Sequence, residues 1–522
     1  MKKGNLQIYL LVFLIVAFGF FLRIYNIDNA PPGIYPDEAM NGEDAIKANW
    51  AGDYKLFYEY NNGREGFFIN FIAICFSFLG ISILTLKLPA IIFSTLTIWG
   101  TYLFTKELFT RRVALVSSFL VATSFWAMHF GRIAFRANML PAILVFSFYF
   151  LFKGLRTKKW WDFAAGGAIF GLGMHSYISW RIAPMMLIVF IGFLILSRKD
   201  FIKNYWKSML IFLVASLIIA APMFYTFYQN PEFLDSRSDS ISIFSPEANN
   251  GSATLSFLRS FSLSLIKYNF VGDMNWRHNF RPYPLLDPIA SVAFIFGIVF
   301  SIMTFVKLFK QRIKKKLRSL DLEKFSFLLI WFFAMLAPEF LTAEGNPHAL
   351  RAIGTLPVVF IFAGIGFEYL FHLPRKSGLF SKKNIFILAI AFFFFIGIFN
   401  TLKYHVVWAN KERVAFSFNK NLTDMSKYMN LLSQNQETYV ITDGSNTLER
   451  LPIWIFHNRS SNHYLVSNEL NKIKPKDENN FIIFLTKNDA KVIQSITNKF
   501  QQLQFQIVRS KPMSIFYILR TK

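Results

Sequence analysis

Two adjacent acids, Asp37 and Glu38, stand in the run YPDEAMNGEDA (35–45), directly after Pro36. A carboxylate in a polar loop can serve as a general base that takes a proton from an attacking hydroxyl. Proline followed by acids also suits the first turn of a helix and its dipole, so capping and catalysis are both compatible with this motif. A second charged pair, Arg64 and Glu65, lies in NNGREGFF (61–68), immediately before an apolar stretch. It fits a catalytic pair or an interfacial anchor in which Arg64 snorkels to headgroups. Further basic groups occur in three other places. HFGRIAFRANMLP (129–141) carries Arg132 and Arg136, four apart and on one helical face. HSYISWRIAP (175–184) carries His175, Tyr177 and Arg181, and NPHALRAIGTLP (346–357) carries His348 and Arg351. Guanidinium groups bind phosphate through charge-assisted, often bidentate hydrogen bonds. Several of them on one side of a membrane suggest an anion site. Finally, GDMNWRHNFRPYPLLDP (272–288) packs Asp273, Arg277, His278 and Asn279 among Trp276 and prolines. His278 suits a metal ligand, a phosphate ligand or a hydrogen-bond donor. A rigid proline-rich lid with incidental charges is the competing explanation.

The elements that must position these groups are set by composition. Of 522 residues, 54% are hydrophobic and only 17% charged, against about 25% charged in an ordinary soluble domain. This excludes a disordered chain, a coiled coil and a typical nucleic-acid-binding domain. It predicts an α-helical polytopic membrane protein. The net charge of +25 fits the excess of Lys and Arg in cytoplasmic loops. With Cys75 as the one cysteine, the chain has neither an intrachain disulfide nor a cysteine metal site.

Apolar runs predict about eleven spans, near 6–22, 88–104, 114–128, 141–152, 163–179, 182–196, 208–227, 287–306, 325–341, 352–371 and 384–402, several of which reach the length a bilayer requires only with their flanking residues. The stretch 67–86 is treated as interfacial. With the N-terminus inside, every strongly basic short loop then falls on one side, whereas a crossing at 67–86 would invert all later loops. The expected organisation is a transmembrane module, 1–402, and a small α/β domain, 403–522, outside the membrane. The first outer loop (23–87) holds juxtamembrane helices, and a second long outer loop covers 228–286. In the tail, TYVITD (438–443) and FIIFLT (481–486) read as buried strands, NDAKVIQSITNKF (488–500) as an amphipathic helix, and 503–509 with 514–519 as a hairpin.

With these residues in order, the chain resembles the GT-C superfamily of polytopic glycosyltransferases. The nearest resemblance is to bacterial relatives of dolichyl-phosphate-mannose protein mannosyltransferases and of the aminoarabinose transferase of lipid A. It covers about residues 5–402 and rests on DEA at 37–39, GREGFF where many relatives have Lys-Pro-Pro, KELFTRR (106–112), HFGRIAFRANMLP and LRAIGTLP (350–357). NWRHN (275–279) looks like a subgroup feature. The resemblance implies a sugar donor linked to polyprenyl phosphate, which needs no nucleotide-binding domain, and no nucleotide fingerprint is present. It implies that Asp37 acts as base on the acceptor hydroxyl of a protein, lipid or glycan, with Glu38, Arg64 and Glu65 in the same centre. Arg132, Arg136, Tyr177, Arg181, Asp273, Arg277, His278, His348 and Arg351 would face the donor and its phosphate. The setting implied is the outer face of a bacterial plasma membrane, among membrane lipids, without nucleic acid.

One departure bears on cofactors. Many relatives carry a second acid in the next outer loop, where this chain has Asn138. A divalent ion favours several carboxylate oxygens, so Arg and His are expected to neutralise the phosphate. No cofactor is required, although Glu38, Glu43, Asp44 and Glu65 leave a divalent metal compatible with the first loop. A transporter or flippase of lipid-linked sugars is the competing function. It would place polar groups at mid-membrane or at both faces, whereas the distinctive residues here concentrate on the outer side.

Overall fold

The structure is a computed structural model that describes residues 3–61, 63–235, 242–245, 251–315, 319–343, 345–376, 381–433, 435–443, 447–457, 461–510 and 514–521. The chain divides into two compact units. One comprises residues 1–25, 55–68 and 89–403, the other 26–54, 69–88 and 404–522. This differs from a single boundary at 402/403, because residues 26–54 and 69–88 group with the C-terminal domain.

The chain opens with α1 (Lys3–Ile24), α2 (Pro36–Ala51), α3 (Gly66–Leu79) and α4 (Ile83–Leu108). At 14 residues and about 1.5 Å per residue, α3 is about 21 Å long, shorter than the roughly 30 Å hydrocarbon core. The helices that follow are α5 (Arg111–Thr123), α6 (Phe125–Phe130), α7 (Met139–Thr157), α8 (Trp160–Leu172), α9 (Ala183–Ser197) and α10 (Phe201–Gln229). After the short α11 (Glu232–Asp235) and α12 (Ala253–Ile266) come α13 (Pro288–Lys315), α14 (Leu320–Phe340), α15 (Leu356–Lys376) and α16 (Lys382–Leu402). Nine of the expected spans each fall on one of these helices, 114–128 is divided between α5 and α6, and 163–179 runs past the end of α8 at Leu172. Among the described residues, eight helices are long and apolar enough to cross a membrane. The other three expected spans fall on α5 with α6, on α8 and on α14.

The α5–α6 break has a local cause. Ser124 takes extended backbone angles and its hydroxyl accepts the Ala127 N–H, so it ends one helix and caps the next. In the same unit, α13 and α15 approach closely. A Cβ added at Gly297 would stand 1.7 Å from the Phe362 carbonyl oxygen, and one at Gly366 1.8 Å from that of Ala293. Small residues at such crossings let membrane helices pack backbone to backbone.

A short hairpin, β1 (Phe57–Tyr58) and β2 (Arg64–Glu65), precedes α3. The C-terminal domain adds α17 (Glu412–Ser417), α18 (Lys420–Met429), β3 (Glu437–Thr442), α19 (Leu451–Phe456), β4 (Asn462–Val466), β5 (Phe481–Leu485), α20 (Ala490–Lys499), β6 (Gln504–Ser510) and β7 (Ser514–Arg520). The strands form one mixed sheet in the order β4-β3-β5-β7-β6. β3 pairs in parallel with β4 and β5, and β7 pairs antiparallel with β5 and β6. Val492, Ile496 and Phe500 cover one face of the sheet, and Leu422, Met425, Met429 and Ile453 cover the other. Central strands buried on both faces give continuous apolar runs, which explains the clear sequence signal of β3 and β5. The half-exposed edge strand β4 gives none, and composition missed it.

A cavity of about 760 Å³ lies among α4, α5, α13, α14 and α15, with Phe109, Phe300, Phe325, Glu368 and Tyr369 in its lining. None of the expected site residues lines it.

Candidate active site

The adjacent acids of α2 are treated differently by the fold. Tyr35 is the N-cap, Pro36 opens the helix, and the Glu38 carboxylate turns back to accept the Tyr35 N–H at 2.8 Å. This closes a capping box of the kind that satisfies orphan donors at a helix start. Glu38 is fully buried, and Lys87, also fully buried, lies 3.9 Å from it. The Lys87 ammonium also reaches the Gly33 carbonyl at 3.5 Å. Glu38 is thereby held in a buried ion pair. Asp37, one position earlier and so about 100° around the helix, is half-buried.

The second charged pair lies on the hairpin. Glu65 accepts from Arg136 Nε at 2.5 Å, and Arg136 Nη2 donates to the Gly63 carbonyl at 3.1 Å. The Arg136 guanidinium also lies 5.8 Å from the centre of the Tyr177 ring. Arg64 is buried and donates to the Tyr60 carbonyl. Arg181 stacks 5.3 Å from the centre of the Phe227 ring. Arg132 does not take the place expected of a phosphate ligand. It is fully buried, and its guanidinium donates to the Leu22 and Tyr25 carbonyls at 2.6 and 2.8 Å. A cation here serves the negative end of the α1 dipole and satisfies its terminal carbonyls. His175 is likewise structural, within 2.8 Å of the Ile219 carbonyl.

The clearest constellation brings two distant loops of the membrane unit together. Asp273 is buried. Its Oδ1 accepts the Asn275 N–H, and its Oδ2 accepts the Ala349 N–H, both at 2.8 Å. His278 Nδ1 lies 3.2 Å and His348 Nδ1 3.8 Å from the same Oδ2. The two imidazole centres are 4.8 Å apart. Burial works to raise the Asp273 carboxyl. The charge and hydrogen bond of His278, the charge of His348 and the Ala349 N–H outweigh it and hold the pKa at about 2. The cluster therefore carries its carboxylate charge throughout the physiological range.

The loop bearing Arg351 is gripped a second time. Glu339 accepts the His348 N–H at 2.9 Å, and its other oxygen pairs with the Lys267 ammonium, both side chains being fully buried. On the opposite loop, His129 Nε2 lies 2.6 Å from the Arg277 carbonyl. The helix break at Ser124 thus sets a histidine against the turn that carries Arg277 and His278. Arg277 and Arg351 are half-buried. The arrangement presents two imidazoles around an ionised anchor, on the same loops as Arg277 and Arg351, as suits holding an anionic oxygen.

Ligand atoms of Asp273, His278 and His348 all lie within 4.8 Å of one another, and this is the one group among the described residues with the spacing to hold a metal ion. The Asp273 oxygens already have donors in Asn275, Ala349 and His278, so the carboxylate itself is satisfied by hydrogen bonds alone. Composition did not single out Lys87, His129, Lys267 or Glu339. The available signal was an ionisable residue inside or beside an apolar run, such as Lys87 between Leu86 and Leu88.

Residues 67–225 match the family model for dolichyl-phosphate-mannose-protein mannosyltransferase. No curated protein matches the chain by sequence. Among solved structures, the chain is similar to ArnT from Cupriavidus metallidurans bound to undecaprenyl phosphate. The TM-score is 0.53 at 12% identity, over 99% of this chain and 98% of that one. It is also similar to the archaeal oligosaccharyltransferase AglB from Archaeoglobus fulgidus in complex with an inhibitory peptide and a dolichol-phosphate. There the TM-score is 0.51 at 15% identity, over 88% of this chain and 64% of that one. The chain thus shares the fold of these two solved structures, and its residues 67–225 are similar to the dolichyl-phosphate-mannose-protein mannosyltransferases.

Proposed function

We propose that this protein moves a sugar from a polyprenyl-phosphate donor to an acceptor hydroxyl at the outer face of a bacterial plasma membrane. Asp37 takes the proton of the acceptor hydroxyl. The oxygen attacks the anomeric carbon from the side opposite the phosphate, the bond to the phosphate oxygen breaks, and polyprenyl phosphate leaves with the electron pair. The configuration inverts. Negative charge grows on the departing phosphate, so cationic groups aimed at it stabilise the transition state more than the ground state. His278, His348, Arg277 and Arg351 supply that charge, with Arg136 and Arg181 as further donor contacts. The acceptor is a protein, a lipid or a glycan.

The observation that carries this reading is the loop cluster around Asp273, where a buried, ionised carboxylate orients two histidines beside Arg351. The match of 67–225 to a mannosyltransferase family supports the reaction class. Incubation of the purified protein with a radiolabelled sugar on polyprenyl phosphate is expected to yield labelled acceptor and free polyprenyl phosphate. Movement of the intact labelled lipid between leaflets, with no sugar transfer, would favour a flippase.

The orientation proposed has the N-terminus inside and the C-terminal domain outside, supported by the segregation of basic loops. Lys310→Cys is expected to react with an impermeant maleimide only after the membrane is opened, and Gln494→Cys to react in intact cells. Labelling of Lys310→Cys from outside would reverse the assignment. The native Cys75 is buried.

A further inference from the structure

We propose that the C-terminal domain is a working part of the catalytic centre: it clamps α2 along one face and thereby fixes the direction of the Asp37 carboxylate. The inference rests on Asp37 being the base, and it assigns the domain a positioning role that catalysis by Asp37 does not by itself require.

The contacts run along the whole of α2 and the loop before it. Lys427 donates to the Asp28 carbonyl at 3.1 Å. At Gly33 the chain passes so close to the domain that an added Cβ would stand 2.2 Å from the Phe418 carbonyl oxygen and 3.1 Å from the Lys420 Cα. The rings of Tyr35 and Phe418 lie 6.2 Å apart. Further on, a Cβ at Gly42 would meet Ile455 Cδ1 at 3.1 Å and Leu86 Cδ1 at 3.2 Å. In the last turn, Trp50 meets Trp454 edge to face at 5.7 Å. Positions 35, 42 and 50 are separated by about two helical turns each, so they form one stripe, and α18 and α19 supply or flank its partners. The Glu38–Lys87 pair fixes the first turn from within the same unit. Asp37 lies in that turn, so it has little freedom to swing independently of the domain.

A base must come within hydrogen-bond reach of the proton it takes, and a misplacement of about 1 Å can cost about 100-fold in rate. A domain that only recognised the acceptor would act on acceptor KM. A domain that aims Asp37 acts on kcat.

The test uses the full-length protein, with kcat normalised to folded, monodisperse enzyme. Gly42→Val introduces side-chain atoms where Ile455 sits. The expected result is a fall in kcat of about tenfold or more, with KM for the acceptor and for the polyprenyl-phosphate donor each within about twofold. Ile455→Ala added to Gly42→Val removes the obstructing atoms on the domain side, leaving Leu86 Cδ1 as the remaining neighbour, and is expected to restore much of kcat. A folded Gly42→Val protein that turns over at the wild-type rate overturns the proposal, as does a kcat loss that Ile455→Ala fails to relieve. If Gly42→Val gives no folded protein, Ile455→Ala alone carries the test, because it only removes atoms. A lower kcat with unchanged donor KM supports the clamp, and an unchanged kcat overturns it. Activity retained in Asp37→Asn would instead mean that the base itself is misassigned. An inactive Asp37→Asn beside a fully active Gly42→Val would mean that only the clamp is wrong.

Discussion

Asp37→Asn is expected to lose sugar transfer by about 10²–10⁴-fold, the usual contribution of a positioned general base. Asparagine keeps the size and shape of the side chain but cannot take a proton. The helix start should survive, because its capping box is made by Tyr35 and Glu38 and its N-terminal proline is unchanged. Folding and donor affinity are therefore expected to match the wild type. Single-turnover transfer from a radiolabelled donor, run beside a binding assay with the same lipid, separates the two effects. Glu38→Gln should behave differently. It removes the charge that Glu38 sets against the fully buried Lys87, and breaking a buried pair costs about 3–5 kcal/mol. The expected defect is a lower melting temperature, with folded molecules still turning over. If Asp37→Asn stays active while folded Glu38→Gln is dead, the base is Glu38.

Arg351→Ala is expected to lower kcat/KM by about 10²–10³-fold, as for the loss of one donor to a developing oxyanion. The loop that carries it is held independently of its side chain. Asp273 grips the Ala349 amide and Glu339 grips the His348 amide, so the backbone should keep its place. Arg351 is half-buried, and its truncation opens little core. Arg351→Lys keeps the charge but not the planar fork, and only partial recovery is expected. Measured binding of polyprenyl phosphate should weaken in Arg351→Ala while the melting temperature holds. Unchanged transfer and unchanged lipid binding would remove Arg351 from the donor site.

Hydropathy and period carried the sequence a long way. Most of the expected spans coincide with helices, because a run of apolar residues long enough for a bilayer has few other stable conformations. The stretch that basic-loop segregation kept out of the membrane holds a 14-residue helix, α3. In the tail, β3, β5, α20 and the β6–β7 hairpin stand where apolar runs and amphipathic spacing placed them. The acids of α2 were legible as a helix start by local chemistry alone.

Tertiary structure decided which charges are structural. Arg132 and Arg136 occupy one helical face in sequence, yet Arg132 closes the end of α1 while Arg136 pairs with Glu65. Glu38 and Asp37 are neighbours, yet Glu38 is fully buried against Lys87 while Asp37 is half-buried. Asp273 and His348 are far apart in the chain and meet through a loop whose path no local pattern specifies. The assignment of 26–54 and 69–88 to the same unit as 404–522 was equally hidden. The reason is common to all of these. Hydrophobic period and turn chemistry are properties of a short window, so sequence determines elements and the side chains available to them. The partner of a buried charge is fixed only when distant segments pack, because desolvation makes an unpaired charge too costly to leave and the fold must bring its counter-ion from wherever the chain passes.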